Sequence, residues 1–178
     1  MKILVKPLDG VYWEDKNILL GEKRENVEKT FPNIDLRDKI IRENGLSFYH
    51  FNSNLRVDFD KDERVEFIEF LGGFNIGVQV EIYGVEVFKT NADELVELLK
   101  KLNNGEIEDS ENGYCYKFKN IGVGIYREST PESLVDFIEE IRNDKSINEV
   151  ITEENIREEI LKTNYWETLG IGVKGYYQ

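Results

Sequence analysis

Two segments far apart in the chain share one alternating pattern, which restricts the fold more than any other feature. Ile121-Gly-Val-Gly-Ile-Tyr126 and Leu169-Gly-Ile-Gly-Val-Lys174 alternate apolar residues with glycines, and Ile76–Tyr83 is similar. Because successive side chains of a β-strand point to opposite faces, these segments predict strands with one apolar and one glycine-lined face. The apolar face would pack under helices. The glycines mark either a bulge or strong twist, or a face that another backbone or a ligand approaches closely.

Other patterns indicate how this sheet is built. Further strands are predicted at 2–5, 11–13, 18–20, 46–51, 55–59, 65–70, 85–88 and 114–118, with the last glycine segment extending to 177. A helix is predicted at 91–102, capped by Asn91 with Glu94, with an apolar stripe of Leu95, Leu98, Leu99 and Leu102. A second helix is predicted to open at a cap of Ser129 with Glu132, and weaker helices are predicted at 22–31, 35–43 and 152–163. The strands are mostly joined by hairpins. We therefore predict an α+β fold in a single domain, 1–178, with an antiparallel sheet and helices mainly on one face.

An internal repeat is suggested by a shift of 68 residues, which aligns 20–59 with 88–127 without a gap. Matched positions include Val27 with Leu95, Phe48 with Tyr116, and Gly45 with Gly113. Helix-face and strand-face positions fall into register together, although coincidence would also explain so weak a similarity. The implied unit is a strand, a helix and a hairpin, used twice.

The charge of the chain is unevenly distributed. Residues 1–60 contain ten basic and eleven acidic residues, whereas residues 61–178 contain thirteen and twenty-five. Such a field repels nucleic acid and anionic membranes and attracts basic partners, although an acidic surface also serves solubility alone. The single cysteine, Cys115, suits a reducing compartment, and no signal peptide or membrane span is evident. We expect a cytoplasmic protein with a basic protein partner; the oligomeric state is left open.

The segment Gly170–Gly175 matches the GxGxxG dinucleotide pattern, but its context does not. That fingerprint requires a helix directly after the glycines, and the printed sequence has only three residues after Gly175. We therefore expect no bound dinucleotide and no other cofactor. On the strand interpretation, the open glycine-lined face carries the predicted partner-binding residues, which are Gln79, Glu81, Tyr126, Lys174 and Tyr176. Tyrosine is favoured as a binding anchor, but half-buried tyrosines are also common at sheet edges.

A stretch from residue 58 to 69 resembles a calcium-binding EF-hand loop. Carboxylates occupy its ligand positions at Asp58, Asp60, Asp62, Glu66 and Glu69. Position six is Glu63 instead of glycine, and both flanks alternate as strands instead of helices. We predict an acidic hairpin and no metal site, with calcium binding as the alternative.

Catalytic patterns are sparse. His50 and Cys115 are each the only residue of their kind, and they fall on different predicted strands. A Cys–His pair is therefore a weak alternative to two buried residues, and we expect no catalytic residues. The sequence contains no nucleophile elbow, no phosphate-binding loop and no histidine-rich metal spacing.

The Glu-Asn-Gly turns and the "LRVDFD" hairpin within residues 20–127 carry a resemblance to known proteins. The doubled helix–hairpin arrangement resembles the tandem-repeat beta-lactamase inhibitor proteins, and the size, acidity and aromatic content are similar to those of bacterial toxin-immunity proteins. The resemblance implies a non-enzymatic, acidic protein-binding module, an immunity-type inhibitor of a basic protein or toxin. Alternatives are an enzyme with dispersed, metal-assisted carboxylates, or a small-ligand or regulatory module that uses the glycine-lined face.

Overall fold

The computed structural model describes residues 1–31, 39–42, 45–51, 53–73, 76–109, 111–143 and 153–178. Its strands are β1 (Lys2–Lys6), β2 (Gly10–Trp13), β3 (Lys16–Leu19), β4 (Lys39–Arg42), β5 (Gly45–His50), β6 (Leu55–Phe59), β7 (Val65–Leu71), β8 (Gln79–Ile82), β9 (Val85–Glu86), β10 (Ile107–Glu108), β11 (Cys115–Phe118), β12 (Val123–Tyr126) and β13 (Thr168–Gly172). Its helices are α1 (Arg24–Thr30), α2 (Ala92–Asn103), α3 (Pro131–Asn143) and α4 (Glu153–Thr163), with a 3₁₀ turn at Val87–Lys89.

The larger of two sheets has eight strands in the order β10-β11-β12-β13-β7-β6-β5-β4. All of its neighbouring strands are antiparallel. At its centre β7 pairs with β13, and Glu69 lies opposite Gly170. Three strands follow on each side of this central pair, so the sheet consists of two four-stranded halves.

The smaller sheet has five strands in the order β3-β2-β1-β8-β9. Its β1–β8 pair is parallel, with Lys2 opposite Gln79, and the other pairs are antiparallel. Both sheets and the helices contribute to one hydrophobic core, in which Ile3, Val80, Phe48, Ile171 and Leu95 are buried together. The structure thus confirms the predicted α+β class with a largely antiparallel sheet architecture.

Helix α2 shows how local sequence and packing agree. The Asn91 side chain accepts hydrogen bonds from the backbone N–H groups of Asp93 and Glu94, which satisfies the free donors of the first turn. Leu95 and Leu99 are fully buried, as their spacing on one helix face predicts. The helix therefore begins after the predicted cap and packs Leu95 and Leu99 into the core, whereas Leu102 at the end of the predicted apolar stripe is 39% exposed.

The β5–β6 pair in one half of the large sheet and the β11–β12 pair in the other half have the same register once a shift of 68 residues is applied. Opposed pairs are Ser47–Asp58 and Phe48–Val57 in β5–β6, and Cys115–Tyr126 and Tyr116–Ile125 in β11–β12. Each residue of the second set lies 68 positions after its counterpart. The outer pairs β4–β5 and β10–β11 have registers that differ from each other by two residues after the same shift. The common register supports the internal repeat, which stays a prediction.

Several predicted elements are wrong in part. Of the strand predicted at 85–88, only Val85–Glu86 form β9, and Val87 and Phe88 belong to the 3₁₀ turn. Of the helix predicted at 35–43, residues 39–42 form strand β4, because pairing with β5 outweighs their local helical pattern. The remaining residues of that prediction, 35–38 and 43, lie outside the described residues. The strand predicted to reach residue 177 ends at Gly172, after which the chain turns back through Gly175 at φ +89°.

Candidate functional site

The five predicted partner-binding residues do not share one face. Gln79 and Glu81 lie in β8 of the five-stranded sheet, whereas Tyr126 lies in β12 of the eight-stranded sheet. Lys174 and Tyr176 lie beyond β13 in the C-terminal turn. The prediction of a single surface is wrong because the segment at 76–83 pairs with β1 instead of joining the glycine-containing strands.

The glycine-lined face of the large sheet is occupied by the chain itself. A Cβ atom at Gly124 would lie 2.7 Å from Cζ of Tyr177, and one at Gly172 would lie 2.6 Å from Cγ of Tyr176. At Gly170 a Cβ atom would lie 2.6 Å from Cε2 of Phe67. The glycines therefore make room for aromatic rings of the same molecule. Of the two interpretations left open by the sequence, a close approach holds at these three positions, but the approaching groups are side chains of Phe67 and of the C-terminal tail.

Beside this tail, Arg56 organises a polar cluster on the same sheet face. Its Nη2 lies 3.1 Å from Asp58 Oδ2, and its Nη1 lies 2.8 Å from Glu69 Oε2. Ser47 Oγ donates a hydrogen bond to the other Asp58 oxygen at 2.6 Å. The guanidinium also lies 5.1 Å from the ring centroid of Phe67. The cluster joins β5, β6 and β7 and engages the two end residues of the EF-hand-like stretch.

The rest of that stretch is the turn of the predicted β6–β7 hairpin. Asp60 Oδ1 accepts hydrogen bonds from the backbone N–H groups of Asp62 and Arg64, while Glu63 adopts φ +56°. Glu66 has a raised pKa because of burial and the nearby charges of Asp58 and Asp60. Among the described residues, no three His, Cys, Asp or Glu side chains are grouped so as to hold a metal ion.

The two candidates for nucleophilic catalysis are far apart. Cys115 lies on β11 and His50 on β5, and these strands are separated by β12, β13, β7 and β6. At about 4.8 Å per strand spacing, the two residues are more than 20 Å apart. His50 is buried and stacks on Phe31 with ring centroids 3.8 Å apart. Burial raises the pKa of the Cys115 thiol, which disfavours the reactive thiolate.

A pocket of about 660 Å³ lies where the N-terminal parts of α2 and α3 approach the segment between β10 and β11. Four carboxylates and two tyrosines contribute to its lining, namely Asp93, Asp109, Glu132, Asp136, Tyr114 and Tyr116. Thr130 and Ser133 fix the start of α3, since the Thr130 N–H donates to Ser133 Oγ at 2.8 Å and the Ser133 N–H donates to Thr130 Oγ1 at 3.1 Å. The predicted Ser129–Glu132 cap is thus replaced by a Thr130–Ser133 cap.

Glu132, which was predicted to be the capping partner of Ser129, takes no part in the observed cap. Ser129 Oγ donates instead to Glu159 on α4 at 3.1 Å, and Glu132 lies on the pocket wall. The side chains of Asp93, Glu132 and Asp136 have neither an ion-pair nor a hydrogen-bond partner within the described parts of the chain. On the smaller sheet, by contrast, Glu81 is paired with Lys2 at 2.6 Å. The four carboxylates of the pocket lining therefore outnumber its cation, Arg127, and give the pocket a net negative charge.

Arg127 lies in the wall of this pocket and is only 6% exposed. Its Nε donates to the Gly113 carbonyl and its Nη1 to the Thr163 carbonyl, both at 2.9 Å. The guanidinium carbon lies 4.8 Å from the ring centroid of Trp166. Burial lowers the pKa of Arg127, while the charge of Asp93 acts in the opposite direction. Arg127 thereby connects the end of α4 to the segment between β10 and β11.

The tyrosines of the pocket extend its aromatic wall toward Trp166. The ring of Tyr116 is edge-on to Trp166 at 5.7 Å between centroids. Burial and the nearby charge of Asp109 raise the pKa of Tyr116, so its phenol is neutral at physiological pH. Carboxylates beside aromatic rings suit a cationic group, which pairs with the former and lies over the latter.

Sequence reasoning identified none of these pocket residues as a site. Asp93 and Glu132 were recognisable as acids in the first turns of predicted helices. Their convergence depends on contacts between α2 and the end of α4, where the Ala92 N–H donates to the Asn164 carbonyl at 2.9 Å and Trp166 Nε1 donates to the Ala92 carbonyl at 2.9 Å. No local pattern predicts such a contact.

Comparison of the chain with protein-family models, curated proteins and solved structures gives no match. Among the described helices, none combines the length and the apolar character needed to cross a bilayer.

Proposed function

We propose that this chain is a non-enzymatic, acidic protein-binding module that acts on a basic protein partner in the cytoplasm, as an immunity-type inhibitor does. The observation that carries the proposal is the pocket with three unpaired carboxylates, Asp93, Glu132 and Asp136. With Asp109 and Arg127 included, the ionisable groups of the lining give a net negative charge. A lysine or arginine side chain of the partner would compensate it.

The aromatic wall supports the same interpretation. Tyr114 and Tyr116 provide ring surface beside the carboxylates, and a cation over a tyrosine ring gains further stabilisation. Truncation of a desolvated basic anchor in such a pocket costs a complex several kcal/mol, whereas rim charges mainly affect the association rate. The glycine-lined face is a weaker candidate because Tyr176 and Tyr177 already occupy it.

The proposal is tested by comparing two triple variants that change net charge equally. D93N/E132Q/D136N removes the unpaired carboxylates of the pocket, and D15N/D62N/E106Q removes three exposed carboxylates outside it. Proteins retained by the wild-type chain from an extract of its host are identified, purified and measured individually by surface plasmon resonance. We expect the pocket variant to lose about tenfold or more in affinity and the control variant to lose less than threefold. Equal losses in both variants would refute the pocket as the binding site.

A further inference from the structure

Arg127 leaves one part of its guanidinium without a protein partner. Nε and Nη1 each donate to a backbone carbonyl, but Nη2 has no acceptor among the described residues, and no described carboxylate lies within 4.0 Å of the guanidinium nitrogens. Nη2 lies 3.5 Å from the position of a Cβ atom at Gly113, which also lines the pocket. Arg127 therefore presents an unused donor at the wall of the pocket.

An almost buried guanidinium without a close counterion is unusual, because removing a charge from water costs several kcal/mol unless it is paired. The two carbonyl bonds, the Trp166 ring and the nearby charges of Asp93 and Glu132 compensate part of this cost. The remaining donor suits an anionic oxygen, and Arg binds carboxylates with favourable geometry. The pocket thus has a donor for an anion at Arg127 and unpaired acceptors for a cation at Asp93, Glu132 and Asp136.

We propose that the pocket binds a basic residue at the free C-terminus of the partner, a claim that rests on the proposed function. Arg127 Nη2 donates to the terminal α-carboxylate. The lysine or arginine side chain of the same residue pairs with the unpaired carboxylates and lies against the tyrosines. A basic residue inside a chain has no α-carboxylate, so it would contact the unpaired carboxylates and the tyrosines but not Arg127. The contact with Arg127 therefore favours a C-terminal basic residue over an internal one.

Three small probes separate these contacts on the wild-type protein. Nα-acetyl-L-arginine carries both the carboxylate and the cation, its amide carries only the cation, and Nα-acetyl-L-alanine carries only the carboxylate. Binding is followed by NMR titration, with the ¹⁵Nε resonance of Arg127 as the local readout. The Arg64 resonance serves as the control, because that guanidinium lies outside the pocket and bonds the Gly21 carbonyl.

We expect Nα-acetyl-L-arginine to bind at least about tenfold more tightly than its amide and than the alanine probe. The Arg127 resonance should shift with the first probe and not with the amide, while Arg64 stays unchanged. Equal affinity of the acid and the amide would overturn the C-terminal inference and leave the proposed cation pocket intact. Absence of binding by both arginine probes would count against the inference and against the proposed function.

Two variants complete the test. E132Q removes one rim carboxylate without touching Arg127 and should weaken both arginine probes by a similar factor. R127K keeps a positive charge but loses the guanidinium fork, so it should remove the preference for the acid over the amide. Should R127K fail to fold, the wild-type comparison of acid and amide decides the question alone.

Discussion

The ring of Tyr176 stacks on that of Phe67, with centroids 4.6 Å apart and planes 7° from parallel. This contact holds the C-terminal turn against the glycine-lined face of the large sheet. Tyr177 extends it, with its ring edge-on to Phe67 at 6.2 Å. Burial raises the pKa of Tyr176 to about 12, consistent with a phenol held partly away from water. The tail is therefore an integral part of the sheet's packing.

The stack can be tested with two tyrosines of similar exposure, Tyr176 at 37% and Tyr126 at 38%. Tyr176→Ala removes a stacked ring and should lower the free energy of unfolding by about 1–2 kcal/mol. Tyr126→Ala removes a ring that has no aromatic contact among the described residues, so the change should stay within about 0.5 kcal/mol. Urea denaturation measures both. Equal losses would mean that the stack adds nothing beyond ordinary burial.

Gly124 and Tyr177 offer a second test of the same packing. Gly124→Ala places a methyl group against the Tyr177 ring and should cost about 1–3 kcal/mol through overpacking. Tyr177→Ala leaves space for the methyl group, so the double variant should be more stable than the sum of the two single losses implies. The free energies of unfolding of all four proteins give the coupling. Additive losses would contradict direct contact between the two residues.

Arg56 should be necessary for the polar cluster it joins. Arg56→Met leaves Asp58 and Glu69 without their shared cation and should destabilise the fold by about 2–3 kcal/mol, since both carboxylates are largely removed from water. Arg64→Met is the control, because Arg64 is exposed and its side chain bonds a single backbone carbonyl, that of Gly21, within the described parts of the chain. Its loss should stay below about 1 kcal/mol. Equal stability of the two variants would exclude a structural role for the cluster.

Sequence reasoning predicted the elements that depend on local pattern. The cap and apolar stripe of α2 and the β6–β7 hairpin follow from residues close in the chain, such as Asn91 and Asp60. Strand β4 was predicted as helix, since its identity depends on pairing with β5. The two-sheet arrangement was also missed, because nothing near Gln79 reveals that it pairs beside Lys2. The pocket was missed for the same reason, as its carboxylates and Arg127 come from three separate segments.

His50 should make stability depend on pH. Burial lowers the pKa of His50 to about 4, below its ordinary value of 6.5. Between these values the unfolded chain binds a proton that the folded chain excludes, so protonation favours unfolding as the pH falls. Neutral His50 thus contributes about 3 kcal/mol to the free energy of unfolding above pH 6.5. This contribution decreases as the pH falls and is fully lost only below the folded-state pKa of about 4. His50→Phe should remove this component of the slope between pH 6.5 and 4, measured by denaturation at each pH.

The wild-type curve also contains the titration of carboxylates, so the difference between the two curves is the relevant quantity. A difference that is flat across pH 4–6.5 would show that His50 titrates normally in the folded protein. Phenylalanine suits this position because His50 stacks on Phe31 and lies edge-on to Phe48. The variant should therefore fold.

Association with a basic partner should depend on salt. The uneven charge places most of the excess acid after residue 60, where the pocket also lies. Electrostatic steering raises the association rate above the ~10⁵–10⁶ M⁻¹s⁻¹ of unsteered pairs, and screening removes this gain as the Debye length falls to ~8 Å near physiological salt. We expect the on-rate to fall steeply with salt while the off-rate changes little, in stopped-flow measurements on the identified partner.

The two triple variants should affect different rates. D15N/D62N/E106Q should reduce mainly the on-rate, whereas D93N/E132Q/D136N should also raise the off-rate, because it removes the carboxylates that contact the bound cation. An unchanged off-rate in the pocket variant would place the anchor of the complex elsewhere on the surface.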